Sequence, residues 1–238
     1  MVMDSSRSSQ AYVIETRDLW RVYMVGGREV PALRGVSLQV KSGTFTAVKG
    51  RSGSGKTTLL NCIGGLDQPT SGEVIVHNQD LLGMSDDDLT RWRRRQVGFV
   101  FQSFGLIPIL SAYENVELML RIADVGGRQR RERAERCLDL VGLRQWSQHR
   151  PYEMSGGQQQ RVAIARALAN NPELVLADEP TGELDSTTSR EILGLFRQIV
   201  DDEHMTLMMV SHDMLVDEYA DEILQLRDGQ IVDRILQR

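Results

Sequence analysis

At 238 residues, 41% hydrophobic and 26% charged, the chain has the size and composition of one large α/β domain, or of such a domain with a subdomain inserted in it. A net charge of −5 argues against a protein whose main task is coating nucleic acid, and the two distant cysteines, Cys62 and Cys137, match no ligand or disulfide framework, which points to a reducing cytosol. No apolar run approaches the roughly 20 residues needed to span a bilayer, so action at a membrane is expected to run through a partner.

The polar, Ser-rich start, Met1 to Gln10, lacks the apolar core of a secretory signal and reads as a loose tail. The first clear strand is Phe45-Thr46-Ala47-Val48, a continuous apolar run of the kind buried on both faces of a parallel sheet. It leads into Gly50-Arg51-Ser52-Gly53-Ser54-Gly55-Lys56-Thr57, which fits G-x-x-x-x-G-K-[ST] at every fixed position. The helix starting Thr58-Leu59-Leu60-Asn61 follows. Glycines there let backbone N–H groups turn inward around an anion, and the helix points its positive end at the same place. Lys56 supplies a point charge to the β and γ phosphates, and the Thr57 hydroxyl is placed to ligate Mg²⁺. An ordinary Gly/Ser turn would explain the glycines but not the whole motif in this context.

A second strand, Val97-Gly98-Phe99-Val100-Phe101, ends at Gln102. Before it, Arg91-Trp92-Arg93-Arg94-Arg95 is read as a solvated face or a contact near a membrane rather than a nucleic-acid surface. Residues 103–155 are charged, helical in pattern and without a strand signal, and are expected to form an inserted helical subdomain. Within them, Arg128 to Arg136 alternates Arg with Glu, as an exposed helix with i,i+4 pairs does. Next, Leu174-Val175-Leu176-Ala177 runs into Asp178-Glu179, two carboxylates at a buried strand end. Neighbours on a strand face opposite ways, so the acids are expected to divide the work: Asp178 on Mg²⁺, Glu179 as general base on the attacking water. Ile192, Leu195, Phe196 and Ile199 mark the buried face of the following helix. Leu207-Met208-Met209-Val210 then leads to Ser211-His212. Strand–helix alternation of this kind implies a doubly wound α/β sheet with its polar chemistry at the strands' carboxyl ends. His77, His149 and His204 show no ligand spacing and are given no role.

One further segment names a family. Met154-Ser155-Gly156-Gly157-Gln158, continuing to Arg166-Ala167, closely resembles the LSGGQ signature of ABC-type ATPases. The resemblance covers the chain from about Ala11 to Arg238. It implies a P-loop NTPase core of the ABC ATPase type, about 11–102 and 156–238, with the helical subdomain between. It also implies that Ser155, Gly156, Gly157 and Gln158 hold the γ-phosphate of ATP bound to a second, head-to-tail copy. Gln102 resembles the glutamine that touches Mg²⁺ and water and senses the membrane partner. Gly182-Glu183-Leu184-Asp185 resembles the loop that crosses the dimer interface, His212 resembles the histidine that contacts the γ-phosphate, and Tyr23, near Trp20, resembles the aromatic that stacks on adenine. ATP and Mg²⁺ are the implied cofactors, bound through Gly50 to Thr58.

Three positions depart from the pattern: Met154 stands for the usual Leu, Arg51 for a frequent Pro, and Glu183 for a frequent Asn or small residue. None removes a catalytic group, so an active ATPase is expected. Ala32 to Leu38, Gly64 to Glu73 and Ala177 to Gly182 look like the LolD/MacB group. That likeness implies a four-span permease partner with a large outer domain, and a place on the cytoplasmic face of the inner membrane. The cell-division FtsE type and antimicrobial-peptide-resistance ATPases are close neighbours. ABC proteins acting on DNA or ribosomes form the rival class, and they usually carry two cassettes, a long coiled coil or zinc motifs.

Overall fold

A computed structural model describes residues 12–237; the expected tail, Met1 to Gln10, lies outside the described residues. In chain order the elements are β1 (Tyr12–Val25), β2 (Arg28–Lys41), β3 (Phe45–Lys49), α1 (Lys56–Ile63), β4 (Ser71–Val76), β5 (Gln79–Asp80), α2 (Asp86–Gln96) and β6 (Val97–Val100). After them come α3 (Ala112–Ile122), α4 (Gly127–Leu140), α5 (Gly156–Leu168), β7 (Leu174–Asp178), α6 (Ser186–Glu203), β8 (Thr206–Ser211), β9 (Glu222–Arg227) and β10 (Gln230–Leu236). None of the described helices is long and apolar enough to cross a membrane.

The main sheet has six strands in the order β10-β9-β3-β8-β7-β6, parallel except for β10, which closes one edge antiparallel to β9. Its central strands β3 and β8 are buried along their length because helices or a second sheet cover both faces. Strand alternation divides their side chains between two cores. Val175, Ala177, Leu207 and Met209 face the core shared with α3, α5 and α6. Leu174, Leu176, Met208 and Val210 face the core shared with α1 and the second sheet. The amphipathic reading of α6 holds: Ile192, Leu195, Phe196 and Ile199 are all buried.

The second sheet is the main feature that strand–helix alternation did not foreshadow. It is antiparallel, ordered β2-β1-β4-β5, and it carries everything before β3. One face of β1, with Ile14, Thr16 and Leu19, is buried, while Glu15, Arg17 and Asp18 lie on the wetter side. That charge, together with several register shifts, leaves the strand without a continuous apolar run or a regular period.

The stretch between Gln102 and Ser155 contains helices α3 and α4 and two short 3-10 turns. Ser111 and Glu114 form a capping box at the start of α3. The ion pairs Arg128–Glu132 and Arg131–Glu135 run along the exposed face of α4 at the expected i,i+4 spacing. In α2, Trp92 points inward at 6% exposure and Arg93 donates to the Gly65 carbonyl, so the basic run does not offer an aromatic to solvent.

Candidate active site

Because β3, β6, β7 and β8 run parallel, their carboxyl ends share one edge of the sheet. That edge gathers the phosphate loop, Gln102, the acidic pair and His212. The loop's glycines are required by close approach: a Cβ on Gly50 would fall 2.2 Å from the Leu226 carbonyl oxygen, and one on Gly55 would fall 2.4 Å from that of Ala32. Gly55 also holds φ +103°, a conformation side-chain-bearing residues rarely adopt. Gly229 N–H donates to the Ser54 carbonyl at 3.0 Å, so the β9–β10 turn braces the loop from behind.

Lys56 is buried, and its ammonium donates to the carbonyls of Gly50 and Arg51 at 3.0 and 3.2 Å. It also stands 3.5 Å from Oε1 of Glu179. The Thr57 hydroxyl donates to Asp178 Oδ1 at 3.2 Å. Burial, reinforced by the neighbouring charge of Glu179, raises the Asp178 carboxyl above its ordinary value against the pull of Thr57 and Lys56. A bound cation would reverse that balance. These residues fit Mg-ATP on three counts. The loop is a cradle that a Cβ would fill, the Ser54 hydroxyl is buried without a hydrogen-bond partner among the described residues, and Thr57 and Asp178 offer two oxygen ligands of the kind a hard cation takes.

The two acids do not divide by strand alternation as expected. β7 ends at Asp178, and Glu179 has left-handed backbone at φ +44° immediately before Pro180, an uncommon and strained setting. Its N–H donates to the Val210 carbonyl at 2.9 Å, and its own carbonyl accepts from Gly182 N–H at 3.0 Å. That turn, rather than the pleat, swings the carboxylate between Lys56 and His212. Oε2 lies 2.9 Å from His212 Nδ1.

Gln102 follows β6 on the same edge, with its amide against the Glu179–Gly182 turn: a Cβ on Gly182 would sit 3.0 Å from Gln102 Nε2. Tyr23, near the end of β1, donates its hydroxyl to Asp67 Oδ2 at 2.5 Å, while the Trp20 indole is held by Asp18. Arg51, Ser52, Gly53 and Thr57 are exposed on the loop, and Thr58 is half-buried.

The signature residues have a different setting. Ser155 caps α5, with its hydroxyl accepting from Gln158 N–H at 3.3 Å and the Gln158 amide oxygen accepting from Ser155 N–H at 2.9 Å. Gly156 abuts Leu184 and Phe104, and Gly157 abuts Thr188. Asp185 caps α6, accepting from the N–H groups of Thr187 and Thr188. Ser155 is exposed, and the near neighbours of the two glycines come from the 182–188 stretch and residue 104, with none from the phosphate loop.

Two further groups carry no sequence motif. Lys49, the last residue of apolar β3, is buried and donates to both carboxylate oxygens of Asp217 at 2.7 and 2.9 Å. A lysine closing a buried, mostly apolar strand was the available signal. Arg166 of α5 donates to the carbonyls of Phe104 and Gly105, which ties the signature helix to the segment after Gln102. No local motif marks that contact.

The ABC transporter family profile matches residues 33–182. The chain is 46% identical over 223 residues to an uncharacterised ABC transporter ATP-binding protein, MJ0796, of Methanocaldococcus jannaschii, covering 92% of this chain and 95% of that one. It is 48% identical over 221 residues to the macrolide export ATP-binding/permease protein MacB of Syntrophobacter fumaroxidans, spanning 92% of this chain but 31% of that longer protein. In structure it matches the dimeric post-hydrolysis state of the MJ0796 cassette bound to ADP and Pi. The TM-score is 0.87 at 44% identity, with 94% of this chain and 99% of that one covered.

Proposed function

The chain belongs to the ABC transporter ATPase family, and from that premise we propose that two identical copies close head-to-tail on two Mg-ATP and drive a separate permease of four spans with a large outer domain. The subunit is an ATP-hydrolysing cassette of the LolD/MacB-like group. One observation carries the shared-site reading: Glu179, Lys56 and His212 are assembled within one chain, whereas exposed Ser155 and its glycines neighbour other elements. A site with its base but without its second phosphate clamp calls for a partner copy. The dimeric MJ0796 cassette supports that arrangement.

In this reading the loop amides and Lys56 hold the β and γ phosphates, and Thr57, Asp178 and Gln102 hold Mg²⁺, which neutralises phosphate charge when bound. Glu179 takes the proton from the attacking water, and His212 holds the carboxylate and meets the γ-phosphate. Ser155 and the amides of Gly156 and Gly157 of the opposite copy receive the γ-phosphate at the start of α5. Asp185 sits in the loop beside that interface. The adenine stacks on Tyr23. Permease movement enters through the segment after Gln102, where Ile107 and Ile109 are exposed. The chain then works from the cytoplasmic face of the membrane that holds its permease, without binding nucleic acid.

The test is to tag the Glu179→Gln chain, purify it from native membranes with ATP present, and identify what accompanies it. A four-span protein with a large outer domain is expected. Recovery with ribosomes or DNA, or alone in the soluble fraction, would overturn the permease assignment and leave the ATPase chemistry standing.

A further inference from the structure

We infer that Arg21 and Asp67 are positioning residues for the nucleobase, holding the Tyr23 ring with one face covered and the other open to adenine. The inference rests on Tyr23 being the base platform. The phenol donates to Asp67 Oδ2 at 2.5 Å. Arg21 binds the same carboxylate in bidentate fashion, at 2.9 and 2.7 Å, and its guanidinium carbon stands 4.4 Å from the Tyr23 ring centroid. Two side chains from β1 and one from the turn after α1 therefore form a closed triangle around one aromatic ring.

The triangle is anchored to the phosphate site. Asp67 N–H donates to the Asn61 carbonyl near the end of α1, at 3.2 Å. The phosphate loop opens the same helix, whose eight residues span about 12 Å. One rigid rod thus carries the phosphate cradle at one end and the carboxylate that fixes the ring at the other. Both partners of the ring are largely shielded, Arg21 at 23% and Asp67 at 22% side-chain exposure, so their charges are less screened than those of a surface pair. Burial opposes the charge on Asp67, yet the Tyr23 hydroxyl and Arg21 outweigh it and hold the carboxyl below its ordinary range.

A ring held in this way has already lost its rotamer freedom, so stacking does not have to cost it again. The guanidinium also occupies one π-face, which confines the base to the other and leaves Tyr23 more firmly oriented than an isolated aromatic. The device acts on the base and leaves the phosphates untouched.

Calorimetric titration of the purified chain with Mg-ADP and, separately, with pyrophosphate separates the two. Arg21→Ala, Asp67→Asn and Tyr23→Phe, the last keeping the ring but not its hydroxyl, are each expected to raise the Kd for ADP about 3- to 10-fold, the size of one hydrogen bond or cation–π contact. Pyrophosphate binding is expected to stay unchanged, and the fall in kcat/KM for ATP is expected to be carried by KM. If Tyr23→Ala weakens ADP while Arg21→Ala, Asp67→Asn and Tyr23→Phe do not, the positioning role is overturned and Tyr23 keeps its place as platform. If Tyr23→Ala leaves ADP binding unchanged, the platform reading falls and the inference with it. Equal losses for ADP and pyrophosphate would make the triangle a structural support of α1 alone and overturn the positioning role.

Discussion

His212 Nδ1 lies 2.9 Å from Oε2 of Glu179, and the other oxygen of that carboxylate faces the Lys56 ammonium at 3.5 Å. A carboxylate held at one oxygen by an imidazole nitrogen and at the other by an ammonium is fixed in place, which a general base on water requires. Glu179→Gln keeps the shape and most of the hydrogen bonding but cannot take a proton. Steady-state turnover should fall on the order of 10²- to 10³-fold or more, with ATP binding retained and a dimer seen by size exclusion in ATP. Turnover within a few-fold of the unmodified chain would remove Glu179 from the role of base.

Ser155 serves its own helix as well as the proposed second site, so a substitution there has two consequences. Loss of the cap alone, as in Ser155→Ala, should cost about 1 kcal/mol of stability in urea unfolding and reduce turnover only in part. Ser155→Arg also places a bulky side chain where the partner's γ-phosphate is expected. It should abolish ATP hydrolysis while ADP binding by the monomer stays within a few-fold. Hydrolysis at normal rates by Ser155→Arg would sink the shared-site reading.

How much of this was legible in the sequence depends on the range of the interactions involved. The strands β3, β6, β7 and β8 are short, largely apolar runs that end in or lead to polar residues, so their bounds and the chemistry at their ends could be read locally. β1 and β2 escaped because their faces differ and their register shifts break the period. Glu179 was found by its place after a buried strand, but its direction was not. The left-handed turn before Pro180 depends on hydrogen bonds to Val210 and Gly182, which no short window contains. The pairs Lys49–Asp217 and Arg21–Asp67 join residues 168 and 46 positions apart, so only the fold reveals them.

Lys49 and Asp217 bracket the segment that presents His212, because Lys49 also pairs in register with Ser211. The lysine side chain is 8% exposed and the aspartate 31%. Removing the aspartate strands a buried ammonium, whereas removing the lysine leaves a carboxylate that water can reach. Asp217→Asn should therefore destabilise by about 3 kcal/mol and Lys49→Met by about 1 kcal/mol, with the double variant costing less than the sum. Urea unfolding of the three variants checks the order. Equal costs for the two single changes would show that burial does not set the asymmetry.

Glu117 of α3 is the buried acid of the helical segment, bonded to Arg130 at 2.7 Å and to Arg121 at 3.0 Å. Burial alone would raise its carboxyl, but the two guanidinium groups outweigh that and hold it below its ordinary value of 4.5. A depressed native value means that the unfolded chain takes up the proton first. The ion pairs therefore stabilise the fold fully above pH 4.5 and progressively less as pH falls below it. Glu117→Gln should be less stable than the unmodified chain at pH 7, with the gap narrowing in urea unfolding below pH 4.5. The variant removes the charge while keeping a hydrogen-bonding amide, so cavity formation cannot account for the change with pH. A gap that stays constant down to pH 3.5 would show that the carboxylate's charge contributes nothing to holding α3 against α4.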